Sequence, residues 1–292
     1  MNWPSPIEKI ILYSGADFDA LFASWLFVRN VAFAKYAKFD FVKIGETWKN
    51  QPVDSDPNVV HIDTGGGKFD HHGGKNKSAT RIMVTELGLG DDPALKRLLS
   101  LIEAYENADK MEFYAPSQLI TGWYYLYRTN PKSVLERAFE VFDILYGQEK
   151  QRVEIESQSD KVDWREFNGK KVAVLDEIAQ LRDWCFDNGA DIVVWKNTNN
   201  GVPYYGIQVS RKLDFSLGKV VAALRSSEAV ARKVELEATD LEVIEELEKL
   251  PGWYLHHSGK LILCGSRKKP LKKHEVSLLT FDQIVKIISE NL

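Results

Sequence analysis

Residues 17–109 carry aspartates and histidines in positions suited to holding a hard divalent cation. Asp17-Phe18-Asp19 follows the first apolar run, and Asp63 closes a later one. Asp70-His71-His72 stands in a glycine-rich loop, and Asp109 lies at the end of an expected helix. Carboxylate oxygens suit Mg2+ and Mn2+, and an added imidazole moves the preference toward Mn2+. The same mixture is poor for a tetrahedral zinc site. Two such ions about 3.5–4 Å apart can clamp a phosphate and activate water. Asp63, alone at a strand end between the other elements, is the candidate bridge. The expectation is phosphoester chemistry with one or two Mn2+ or Mg2+ ions. Each element also has a plain structural reading: Asp-x-Asp after a strand is commonly a turn or helix cap, and adjacent histidines are commonly incidental. The succession of these elements, each beyond a strand end where parallel sheets collect ligands, favours the metal reading.

The elements that must position these side chains alternate between strand and helix. Residues 9–13, 39–44 and 59–63 read as strands, with a helix over 20–34. The run Asp63-Thr64-Gly65-Gly66-Gly67 breaks the third strand. Ser78 is a helix N-cap, Gly88 closes that helix near Leu87, and Pro93 opens a helix over 94–108. Residues 114–156 read as helical with a break at Asn130-Pro131. Trp123, Tyr124, Tyr125 and Tyr127 fall in this stretch; base stacking is one use for such rings, but aromatics at helical spacing are core by default. The polar stretch 157–169 has no clear period and marks the domain boundary. Beyond it come strands at 171–175, 191–195, 204–210, 253–256 and 261–264, helices ending near Asn188 and over 217–224, and a last helix from Phe281. The expected fold is α/β: a largely parallel sheet in an N-terminal domain, 1–156, and a smaller α/β domain, 170–292, with the active-site cleft between them.

Composition sets the class. The chain has 292 residues, 44% hydrophobic and 27% charged, as an ordinary globular protein does. A net charge of −4 excludes an argument for nucleic-acid binding from global charge. A local basic patch, Arg267-Lys268-Lys269 with Lys272-Lys273, could still serve. Cys185 and Cys264 form no paired motif and read as buried thiols of a reducing compartment. The start of the chain does not read as a signal peptide, and the apolar runs are too short for a bilayer. The expectation is a soluble, cytoplasmic protein with no membrane partner.

The motifs resemble the DHH phosphoesterase superfamily. The resemblance runs through Asp17-Phe18-Asp19-Ala20-Leu21, His61-Ile62-Asp63, Asp70-His71-His72, Ser78-Ala79-Thr80 and Asp109, covering most of residues 9–110. Ile62-Asp63-Thr64-Gly65-Gly66 with Phe69-Asp70-His71-His72 is most similar to the MYG branch, described as 3′–5′ RNA exonucleases. The resemblance implies a hydrolase acting on short RNA, DNA or a nucleotide. In it, Asp17 binds a first ion and Asp19 a second, Asp63 bridges, and His71 and Asp109 join the second. His72 touches the substrate phosphate, and Asp70 orients a histidine from behind. In the second half, Val209-Ser210-Arg211 and His256-His257-Ser258-Gly259, with Gly265, resemble the family's substrate-holding segments. A guanidinium at Arg211 suits a phosphate, although Ser258-Gly259 also reads as a turn between strands.

One departure stands out. The family supplies a further ligand two or four residues before the position of Asp17, where this chain has Gly15 and Tyr13. His61 could replace it, since residues two apart on a strand face the same way; its plain reading is a hydrogen-bonded core histidine. Otherwise the first site is weak, or hydrolysis has been lost. Three functions stand: a phosphodiesterase, a phosphatase for a small phosphorylated metabolite or pyrophosphate, and a non-catalytic nucleotide or nucleic-acid binder.

Overall fold

The computed structural model describes residues 6–73, 78–106, 116–128, 130–241, 243–247, 249–266 and 268–292. The chain divides into two units, Met1–Val153 and Glu154–Leu292.

In the first unit, β1 (Lys9–Tyr13) is the middle strand of a parallel three-stranded sheet. Ile10, Ile11 and Leu12 are fully buried, as a strand covered on both faces requires. Helix α1 (Phe18–Asn30) follows directly, and its residues 18–27 are all buried, so it is a core helix rather than an amphipathic one. Then come β2 (Lys38–Val42) and β3 (Val59–His61), flanking β1 on either side. Helix α2 (Ala79–Glu86) starts at Ser78, whose side chain accepts from the Arg81 amide. Helix α3 (Pro93–Glu106) buries Leu95, Leu98, Leu99 and Ile102, a spacing of three and four. Helices α4 (Pro116–Leu126) and α5 (Pro131–Glu156) complete the unit. Phe142 of α5 meets Phe18, Phe22 and Trp25 of α1 in an aromatic cluster. Trp123, Tyr124 and Tyr127 pack on this core, whereas Tyr125 is 70% exposed.

The third strand is shorter than expected. Regular pairing stops at His61; Ile62 makes one further bridge to Phe69, and Asp63 turns into the left-handed region at φ 53°. The glycine run just beyond allows this reversal.

The second unit holds a six-stranded sheet in the order β4-β5-β6-β7-β9-β8. Its members are β4 (Asp163–Phe167), β5 (Lys170–Asp176), β6 (Ile192–Asn199), β7 (Val202–Val209), β8 (Trp253–Leu255) and β9 (Leu261–Cys264). The expected strands are present, but only β5 and β6 pair in parallel, so this sheet is mixed. Strand β4 lies inside 157–169, the stretch read as a boundary, and pairs with β5 across Asn168-Gly169, both at positive φ. Helices α6 (Arg182–Asp187), α7 (Gly218–Arg232), α8 (Ala238–Leu241) and α9 (Phe281–Asn291) accompany the sheet. Fully buried Arg225 of α7 donates to the carbonyls of Leu241, Val243, Glu245 and Trp253. It thereby fastens an irregular segment to α7 and β8. No described helix is long and apolar enough to cross a membrane.

Candidate metal centre

The turn after β1 delivers Asp17 and Asp19 through the start of α1. Asp17 is the N-cap: its Oδ1 accepts from the Ala20 amide at 3.1 Å. Its own amide donates to the Tyr13 hydroxyl at 3.0 Å. Asp19 is fully buried, and both its oxygens meet the opening of α2. Ala79 N donates to Oδ2 at 2.6 Å and Thr80 N to Oδ1 at 2.9 Å. Free amides at a helix start favour an anion, so Asp19 ties α1 to α2. Ser78-Ala79-Thr80 thus positions Asp19 through its backbone.

The end of β3 and the following loop supply the other donors. Asp63 Oδ1 is buried with no hydrogen-bond partner. It lies 3.4 Å from His71 Nε2 and 3.5 Å from His72 Nδ1. His71 Nε2 is also 3.7 Å from Asp19 Oδ2 and 3.5 Å from Glu106 Oε2. Asp70 stands behind His72: its Oδ1 meets His72 Nδ1 at 2.8 Å and accepts from the His72 amide. Its Oδ2 accepts from Gly66 N. His72 Nε2 is thereby left as the ring nitrogen without a role in this network, on a side chain 62% exposed.

The electrostatics are those of crowded acids. Burial, with Asp19, Asp17, Asp70 and Glu106 nearby, pushes the Asp63 carboxyl up to about 9. Burial, with Asp17 and Asp19, pushes Glu106 up to about 8. Burial also holds Asp19 above the usual range, against the opposing hydrogen bonds from α2. Asp70 differs. Burial raises it, but hydrogen bonds from His72 and Gly66 outweigh that and hold it below the usual range.

These residues fit a divalent cation. Among the described residues, the donor atoms of Asp63, His71 and His72 lie within 4.8 Å of one another, and so do those of Asp19, His71 and Glu106. The separations around His71 Nε2 are slightly longer than the roughly 3.0–3.3 Å edges expected for ligands at about 2.1 Å from one ion. The unpartnered buried oxygens Asp63 Oδ1 and Glu106 Oε1 are acceptors that a cation would satisfy.

Glu106, not anticipated, stands at the centre, while Asp109 lies outside the described residues. The signal for Glu106 was its spacing: it continues the buried series Leu95, Leu99, Ile102 by four, placing an acid on the inner face of α3. Asp17 caps α1 and is not among the donors grouped at His71, though it is close enough to raise its neighbours. His61, suggested as a replacement for the missing ligand, is buried; its Nε2 accepts from Trp48 N at 3.0 Å, while its Nδ1 has no hydrogen-bond partner. Burial lowers its pKa and keeps the ring neutral. Tyr13 cannot ionise to replace a ligand either, since burial raises its phenol far above neutrality.

In the second unit, Arg211 is exposed just beyond β7. His256, His257, Ser258 and Gly259 form the turn between β8 and β9. The Ser258 amide and hydroxyl both meet His256 Nδ1, and the His256 and His257 rings lie 3.9 Å apart. Gly259, at φ 68°, passes so close to Ser216 that an added Cβ would lie 2.9 Å from its Oγ. The turn and the 209–217 segment are therefore neighbours, joined also by Leu217 N donating to Gly259 O. Of the basic patch, Lys269 pairs with Glu246 at 2.7 Å and Lys272 lies 3.8 Å from Glu275; Arg267 is outside the described residues.

No protein-family model and no curated protein matches this chain. Among solved structures it is similar to a pGpG-specific phosphodiesterase, PggH, from Vibrio cholerae. That match has 11% sequence identity, covers 98% of each chain and has a TM-score of 0.33.

Proposed function

We propose that this chain is a divalent-metal-dependent phosphodiesterase acting on a nucleotide or a short nucleic acid. The observation that carries the reading is Asp63 Oδ1: a buried acid oxygen without a hydrogen-bond partner, facing His71 and His72. Burying such a group uncompensated is costly, and a bound cation would supply the missing partner. The DHH resemblance gives the donors their order along the chain and directs the chemistry to phosphoesters.

Asp19, Asp63, His71 and Glu106 would hold Mn2+ or Mg2+. When bound, the ion supplies a Lewis acid for the phosphate and lowers the pKa of water. Asp70, kept ionised by its hydrogen bonds, fixes His72 with Nδ1 protonated, which leaves Nε2 for a substrate phosphate oxygen. Asp19 keeps α2 against α1, so the His71 loop is anchored at its far end. Arg211, with the His256-His257-Ser258-Gly259 turn, is assigned to hold substrate phosphates through charge and backbone amides. The MYG likeness makes short RNA the first substrate to test, with 3′–5′ release of mononucleotides.

The test is Mn2+-dependent hydrolysis of bis(p-nitrophenyl) phosphate and of an end-labelled short RNA, with wild type and Asp63→Ala. Turnover of both by wild type, lost in a folded variant, is the expected result. Release of inorganic phosphate from mononucleotides alone would replace the reading with a phosphatase. Nucleotide binding without turnover would replace it with a binder.

A further inference from the structure

Residues 266–275 concentrate positive charge in a chain whose net charge is −4: Arg267, Lys268, Lys269, Lys272 and Lys273 stand against the single acid Glu275. The segment is shaped as well as charged. Ser266 N donates to Lys269 O and Lys269 N donates to Ser266 Oγ, closing one turn. Glu275 N donates to Lys272 O and Lys272 N donates to Glu275 Oε2, closing another. Between the two turns, Leu271 is buried in the core of the second unit. Two glycines let the segment lie close to the sheet. An added Cβ at Gly265 would stand 2.9 Å from Leu271 Cγ, and one at Gly252 would stand 3.0 Å from Glu275 O. Lys268, Lys272 and Lys273 are exposed on this pinned ledge. Lys269 is engaged by Glu246 at 2.7 Å, whereas the Lys272–Glu275 pair, 3.8 Å apart with the lysine 76% exposed, holds its ammonium weakly.

Beside the ledge is a hollow of about 170 Å3 lined by Tyr254, Leu263, Gly252, Gly265, Ser266 and Lys269. Tyr254 and Leu263 are paired across β8 and β9, on the face opposite the buried Trp253 and Cys264. The Tyr254 ring is only partly buried and meets the His256 ring at 6.4 Å between centroids, so aromatic surface continues along β8 to the His256–Gly259 turn. An open aromatic ring beside exposed cations suits an unpaired strand: bases stack on the ring, and phosphates meet the cations. An acidic peptide would use the lysines and leave the ring idle. We propose that the second unit binds single-stranded nucleic acid here, with a base stacked on Tyr254 and backbone phosphates on Lys268, Lys272 and Lys273. This extends the proposed function and rests on it only for the choice of ligand.

The test measures fluorescence anisotropy of a labelled single-stranded RNA of about ten nucleotides, within the length one such surface covers, added to the full chain in EDTA. Wild type should bind, with a duplex of the same sequence competing less well because its bases are already stacked. Tyr254→Ala should weaken binding about tenfold, and Tyr254→Phe, which keeps the ring, should stay within about threefold of wild type. The combined variant Lys268→Ala, Lys272→Ala, Lys273→Ala should reduce the slope of log affinity against log salt by about 2, at about 0.7 per phosphate contact. Thermal melts establish that each variant is folded, and the three exposed lysines keep the test decisive if Tyr254→Ala does not fold. Unchanged affinity and salt slope in the lysine variant would overturn the proposal while leaving the phosphodiesterase reading intact. Polyglutamate bound as tightly as RNA would replace the strand with an acidic protein partner. Binding in EDTA as expected, without Mn2+-dependent turnover of any diester, would keep this surface and remove the phosphodiesterase reading.

Discussion

Replacing Asp63 by asparagine should make the metal-free protein more stable while abolishing its response to Mn2+. The folded carboxyl is pushed from its ordinary value of 3.8 up to about 9, burial being the main cause. At pH 7 folding must place a proton on a group that is ionised in the unfolded chain. With 1.36 kcal/mol per unit, the gap between pH 7 and 3.8 costs about 4 kcal/mol. Asparagine has the shape of the protonated acid and removes that cost. It also suits the left-handed backbone at φ 53°. Relaxation and coupling among the neighbouring acids reduce the gain to about half, or about 4–8 °C in melting temperature. Because the folded pKa is raised, the wild-type contribution is present in full below about pH 4 and is lost as pH rises toward about 9. The two proteins should therefore converge near pH 4 and separate progressively above it. The assay is calorimetric melting in EDTA at several pH values, repeated with Mn2+, which should raise the melting temperature of wild type alone. An asparagine variant that melts below wild type in EDTA at pH 7 would refute the account of Asp63 as a strained, uncompensated acid.

Two further outcomes follow from particular contacts. Glu106→Gln should weaken Mn2+ binding about tenfold or more in calorimetry, since it removes a donor from the His71 group; an unchanged isotherm would show that Glu106 is not a ligand. Arg225→Met should cost about 3 kcal/mol or more in urea unfolding of the second unit, because the carbonyls of Leu241, Val243, Glu245 and Trp253 lose their donor. A loss under about 1 kcal/mol would show that water or backbone shifts satisfy them instead.

Much of this architecture was legible because local rules govern it. The apolar run at β1 and the Ser78 cap each declare an element within a few residues. Strand direction in the second sheet was not legible, since it depends on pairings such as β7 with β9, far apart in sequence. Strand β4 was missed because it is an edge strand with little burial, although Asn168-Gly169 is a hairpin signal. Within the centre, the Asp and His motifs stood out by type and spacing. Glu106 did not, because an acid on the inner face of a helix becomes visible only once the face is known. His61 was ambiguous for a related reason: strand alternation gave its direction, but only the fold shows that Trp48 reaches its ring nitrogen.

The bond from Asp19 to Ala79 joins positions separated by 60 residues. Its partner contact to Thr80 N makes the junction bidentate, so α2 cannot leave α1 without stranding a buried carboxylate. The entropic cost of closing that long chain loop is met by the fold before any ion arrives. On the proposed metal-binding reading, ion affinity would therefore report tertiary integrity as well as ligand chemistry. A substitution far from His71 that loosens the α1–α2 junction should release Mn2+ before the unit melts. Conversely, an ion that binds only the closed form stabilises that junction in proportion to the logarithm of its concentration above Kd.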